Sequence, residues 1–226
     1  MRNVRRAFRI TVLLILALFL HYVMPHRDVA RITSTEIIRQ DFSPYNRLFY
    51  AQADAGNVEN PTRDLRLINT QRLPTYLFGL IRGSETSTMV YRNEDTGWIY
   101  PPYFKFDSSD LQAEADDLSS TSAEPRWVVI THYGWRIRWL TVFPNAVSIR
   151  EVSGPDYRPI PWVNIVILLA LLGGAAFVRA AWLQFRERTL DPIGESAQDR
   201  IDEASAGIAE QRGRLRRWLD SWKSKR

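Results

Sequence analysis

The chain has 226 residues, 24% charged and 45% hydrophobic, with a formal net charge of +5 and no cysteine. The missing thiols exclude disulfide staples, thiolate catalysis and cysteine metal sites. The length is ample for one folded domain with an ordinary hydrophobic core.

In chain order, residues 1–9 form a basic N-terminus with Arg2, Arg5, Arg6 and Arg9 and no acid. Residues 10–24 are an uncharged apolar run, about 22 Å of helix against a hydrocarbon core of about 30 Å. Arg5, Arg6 and Arg9 can bury their stems and lift their charges to the headgroups, which lengthens the usable span. A secretory signal shares this pattern. The His21-Tyr22-Val23-Met24-Pro25 stretch, however, has no pair of small residues for cleavage, so the run reads as an uncleaved signal anchor. The positive-inside rule holds the N-terminus in the cytoplasm.

Residues 25–160 are nearly balanced in charge and read as one β-rich extracytoplasmic domain. Val29–Arg39 suits a strand leading directly out of the first membrane helix. Leu65–Leu67 and Thr88–Arg92 read as short strands, with loop-like composition over 52–63 and 82–88. Arg126–His132 reads as a strand, and Trp135-Arg136-Ile137-Arg138-Trp139 alternates strictly. The pair therefore predicts a hairpin broken at Tyr133-Gly134, and Val147–Ile149 alternates again. One helix is expected, begun by a capping box of Ser109 and Gln112 and ending near Leu118. Asp116 and Asp117 oppose its dipole and predict that it is short.

Within this domain the segment Trp98, Tyr100, Pro101, Pro102, Tyr103, Phe104 and Phe106 is dense in aromatic residues and proline. Exposed, it is a binding platform, with Trp98, Tyr100, Tyr103 and Phe104 as the contact residues. Buried, it is an edge of the core. The neighbouring acids Glu94, Asp95 and Asp107 offer oxygen ligands or a carboxylate pair, but their spacing fits no EF-hand and selects no glycosidase pair. The plainer reading is turn chemistry at Asp95-Thr96-Gly97 and a helix cap at Asp107 or Ser109. His132 lacks a G-x-S-x-G partner and reads as a satisfied strand residue. His21 and His26 flank the first helix. No phosphate loop, dinucleotide fingerprint or nucleic-acid motif is present, so no cofactor, metal or nucleic-acid partner is expected.

Residues 161–188 read as the second membrane helix, with Trp162 and Trp182 at opposite ends of an aromatic belt. Asp191-Pro192 predicts its end or a bend. Residues 189–226 form a cytoplasmic tail in which Ile201, Ala204, Ile208, Gln211, Leu215, Trp218 and Trp222 recur at steps of three and four. Arg216, Arg217, Trp218 and Trp222 suggest that its last turns lie on the inner membrane surface. A short coiled coil and a polar tail are the alternatives.

The stretches Tyr91–Leu118, Thr131–Arg136, Pro144–Val147 and Pro161–Leu168 resemble a bacterial family of two-pass inner-membrane proteins of unknown function. This is the domain-of-unknown-function family numbered fifteen twenty-three. Residues 71–87 look like an insertion relative to it. The resemblance implies an inner-membrane location and a periplasmic domain, and it implies no activity. The expected fold class is thus α+β: two transmembrane helices flank one β-rich domain, followed by an amphipathic helix. The expected role is a non-enzymatic accessory, scaffold or assembly factor that meets the lipid bilayer and another envelope protein. An envelope hydrolase and a membrane homo-oligomer are the alternatives.

Overall fold

A computed structural model describes residues 2–41, 45–50, 62–76, 81–96, 101 and 103–223. The chain divides into two units, residues 1–166 and 167–226. In the first unit, helix α1 (Arg2–Val23) leads into strand β1 (His26–Asp41). There follow β2 (Thr62–Leu73), the short pair β3 (Thr75–Tyr76) and β4 (Ile81–Arg82), and β5 (Ser87–Arg92). Helix α2 (Ser108–Asp117), β6 (Trp127–Tyr133) and β7 (Asn145–Val152) complete the domain.

The five long strands close a barrel in the order β1-β2-β5-β7-β6, with β6 pairing back onto β1. Counting only these strands, the order is first, second, third, fifth, fourth, with a helix between the third and fourth. That is the connectivity of an OB-type barrel. β1 makes closure possible. It pairs with β2 along most of its length and with β6 through His26–Ala30, and a bulge between Ile32 and Ser34 bends it between the two partners. The seam between β5 and β7 is a single parallel pair, Arg92 with Asn145. A side chain completes it: the Asn145 amide accepts from the Glu94 N–H and donates to the Glu94 carbonyl, each at 2.9 Å.

Inward-facing residues Ala30, Ile32, Ile68, Tyr91, Val128 and Ile130 fill the barrel. α2 adds Leu111 and Ala115, and its C-cap adds Leu118, spaced at i, i+4 and i+7 so that one face joins the core. Its N-cap is Asp107, which accepts from the Asp110 N–H at 3.1 Å. The expected Ser109 box does not form, because Ser109 already lies inside the helix and Gln112 instead accepts from Asn93. A second cluster covers the outer face of β2, where Leu65 and Leu67 pack with Tyr50, Val142 and Phe143. Strands two and three of many OB barrels bear ligands on such a face. Here the chain's own segments 45–50 and 137–143 lie over it.

The hairpin differs from expectation. β6 pairs with β7, not with Trp135–Trp139. Those five residues instead hold a bridge from Ile137 to Val142 and a 3-10 turn, Arg138–Leu140. Their alternation does not mark a strand face: Trp135 packs edge-on to Tyr22, whereas Trp139 is 82% exposed.

Helix α3 (Trp162–Phe185) begins in the first unit and continues into the second. Asp191-Pro192 does not end the helix. A π turn at Arg186–Leu190 carries it into α4 (Asp191–Lys223). The widened turn bonds Asp191 N–H to the Arg186 carbonyl just before the proline, whose missing N–H would break a regular turn. Two helices, Arg2–Val23 and the one that starts at Trp162, are long and apolar enough to cross a membrane. No described residue of α1 is buried, and Asn164 alone is buried in α3.

Candidate functional site

The last carbonyls of an α-helix have no partner within the helix. In α1 the following residues supply partners for all four. Leu20 O accepts from the Met24 N–H at 2.8 Å and His21 O from His26 Nε2 at 2.7 Å. Tyr22 O accepts from the Gly134 N–H at 2.9 Å, and Val23 O from the Tyr103 hydroxyl. Gly134 suits this contact because its φ of +88° lies in the region that side chains disfavour. One residue further on, Pro25 O accepts from the buried Asn164 amide of α3 at 2.8 Å. The end of α1 is therefore fastened to the barrel without a linker, and Asn164, in the first turn of α3, bonds to the same short stretch of chain.

A cleft of about 320 Å³ opens beside this junction. It gathers all three histidines of the chain, His21, His26 and His132, around the buried carboxylate of Asp28. Asp28 Oδ2 accepts from Arg72 at 2.6 Å, from the Tyr91 hydroxyl at 2.6 Å and from His132 Nε2 at 3.0 Å. Oδ1 accepts from Thr75 at 2.6 Å. Burial alone would raise the Asp28 carboxyl, but His132, Arg72 and Thr75 outweigh it and hold it well below the usual carboxylate range. Burial, then the Asp28 charge, pushes the Tyr91 hydroxyl well above its ordinary value. His26 stacks on His132 with ring centroids 5.5 Å apart. Burial, then His132, lowers the His26 imidazole to about 4. Asp28 thus fixes the ring of His132, whose buried Nδ1 has no hydrogen-bond partner among the described residues. Among the described residues no three His, Cys, Asp or Glu side chains are grouped to hold a metal ion.

The acids read from the sequence lie elsewhere, each with a bond that shapes the fold. Glu94 is buried between Arg63 and Arg92. Asp95 accepts from the Ser108 N–H at 2.8 Å, and Asp107 caps α2. Between them Lys105 turns inward to Asn93 and to the Ala146 carbonyl. Burial lowers its ammonium to about 7, with Asp95 opposing and Arg92 adding to the fall. Of the aromatic segment, Trp98 and Tyr100 lie outside the described residues. Tyr103 is half-buried and stacks on Tyr133 at 4.8 Å. Phe104 and Phe106, on either side of the inward Lys105, are 54% and 50% exposed, and Phe104 has a φ of 51°. Arg5, Arg6 and Arg9 are exposed on α1, as are Arg216, Arg217 and Trp218 on α4. Trp222 is in α4, but its side chain is outside the described set.

The sequence reading missed Asp28, Arg72, Lys105, Asn145 and Asn164. Asp28 left one signal: it shares strand parity with Ala30 and Ile32, so an inward-facing acid was implied.

Fold and junction together define a class: a small closed barrel bonded directly to the end of one helix of membrane-crossing length, in a chain that holds a second such helix. The chain belongs to the family described as protein of unknown function (DUF1523), which it matches over residues 1–186. An uncharacterised protein of Haemophilus influenzae is 39% identical over 156 residues, 67% of this chain and 78% of that protein. No solved structure matches.

Proposed function

We propose that this is a two-pass inner-membrane protein that holds its barrel against the periplasmic face of the bilayer as a binding module, both termini being cytoplasmic. It acts as an accessory, scaffold or assembly factor rather than as an enzyme. The observation that carries this reading is the junction itself. With the terminal carbonyls of α1 bonded to Met24, His26, Gly134 and Tyr103, the barrel has a fixed height and orientation relative to that helix. Fixing a surface near a bilayer raises its effective concentration for partners in the same membrane. The exposed apolar side chains of α1 and α3 support lipid contact over a soluble core. Four arginines and no acid in residues 1–9 support a cytoplasmic N-terminus.

The partner is another envelope protein, received on the segment from Trp98 to Phe106. Exposed Phe104 and Phe106, pinned by the buried Lys105 between them, support this surface. The hydrolase reading loses support because Glu94, Asp95 and Asp107 serve an ion pair, a turn and a cap. Alkaline phosphatase fused at Asn57 is expected to be active and at Arg226 inactive; an inactive Asn57 fusion in an expressed protein would reverse the topology. A photo-crosslinking residue at Phe104 is expected to capture one envelope protein in intact membranes. Capture of a second copy would favour the homo-oligomer instead.

A further inference from the structure

A second cleft, of about 620 Å³, lies where the barrel meets the start of α3. Arg27, Arg150 and Arg158 line it, with Thr131, Ser148 and Tyr157, and among the described residues no Asp or Glu does so. None of the three guanidiniums has a carboxylate partner among the described residues. Arg27 donates to the Ile160 carbonyl, and Arg150 to the Tyr157 hydroxyl at 2.7 Å. Arg158 has no hydrogen-bond partner among the described residues. A guanidinium carries five N–H donors, so most of this donor set is left for a ligand. Ile160 and Trp162 also line the cleft and are 53% and 63% exposed. The site is thus cationic on one side and apolar on the other, and its apolar side lies at the entry to a helix of membrane-crossing length.

We propose that this cleft binds the phosphate of an anionic glycerophospholipid headgroup. The inference rests on the membrane reading above. The arginines take the phosphate oxygens, a geometry for which guanidinium is well shaped. Ile160 and Trp162 meet the glycerol and upper acyl carbons, as an interfacial tryptophan does. The cleft differs from a diffuse basic surface in grouping three cations that have no acid to neutralise them among the described residues. It is also distinct from the proposed protein-binding surface, which uses residues 98–106.

The test uses the full chain in mild detergent, titrated with phosphatidylglycerol, with phosphatidylcholine and with inorganic phosphate, bound lipid being counted by native mass spectrometry. Phosphatidylglycerol is expected to bind with clear preference over phosphatidylcholine. Arg158→Gln should weaken it about fivefold, and the triple Arg27→Gln, Arg150→Gln, Arg158→Gln variant on the order of a hundredfold. Arg158→Gln leaves every described bond intact, so its effect is not a folding defect. Equal binding of the two lipids, or unchanged binding by Arg158→Gln and the triple variant, overturns the proposal. Competition by inorganic phosphate at equal concentration overturns the lipid as ligand. Retention of the chain in membranes after alkaline carbonate separates the two levels: release sinks the membrane reading, whereas retention with unselective lipid binding sinks only this site.

Discussion

Lys105 offers a quantitative check on the buried network that supports the aromatic segment. It is 8% exposed and held by Asn93 and the Ala146 carbonyl. Its ammonium titrates at about 7 in the fold against 10.5 for an ordinary lysine. Between those values the unfolded chain binds the extra proton and the folded one does not. Stability therefore rises with pH across that window, and the full penalty remains below pH 7. Integrating between pH 7 and pH 9 gives a gain of about 2 kcal/mol for the wild type. This interval avoids His26, which titrates near 4, and Tyr91, which is raised well above the ordinary tyrosine range. In Lys105→Met the gain is absent. The lost bonds to Asn93 and Ala146 impose an offset, but the same one at both pH values. Urea unfolding of the full chain in detergent, followed by tryptophan fluorescence at pH 7 and 9, measures the difference. Parallel stability changes in the two proteins would show that Lys105 is not proton-poor in the fold.

Asp28→Ala would leave Arg72, Tyr91, Thr75 and His132 facing an empty position, and should destabilise the barrel by about 3–5 kcal/mol in the same unfolding assay. A loss under about 1 kcal/mol would mean the four donors find other partners. Leu111→Ala hollows the contact between α2 and the barrel and should remove about 2–5 kcal/mol, read as a lowered urea midpoint at unchanged slope. Gly134→Ala forces a methyl group onto a backbone at φ +88° and should destabilise by about 1–2 kcal/mol. Protection of the residue-134 amide, which donates to Tyr22 O, should fall with it in hydrogen exchange.

Much of the scaffold was legible because it rests on local chemistry. The two apolar runs, the β-branched stretch of β1 and the strand at 88–92 declare themselves through composition and period. Closure of the barrel was not legible. It depends on β1 serving two partners around a bulge and on the Asn145 side chain spanning a seam 51 residues away in sequence. The alternation at Trp135–Trp139 misled for a physical reason. Period two marks a strand only when one side is buried, and here the ends of the run go to different environments. The histidine cleft was hidden because His21 and His26 sit at a helix end, where a membrane interface explains them equally well. Only the register of β1 against β6, which pairs His26 with His132, brings the third histidine to them. Glu94 and Asp107 were visible as an acidic cluster, but their partners Arg63 and Asp110 N–H decide that they shape the loop.

Because α1 ends in bonds to the barrel and not in a flexible tether, the two turn as one piece. A helix adjusts to a thicker or thinner bilayer by changing its tilt. In the two-pass arrangement proposed above, that rotation would swing Phe104 and Phe106 through an arc, since Tyr103 is bonded to Val23 O. Lipid composition would then steer the direction in which the aromatic residues point, and bilayer thickness would become an input that the barrel reads out mechanically.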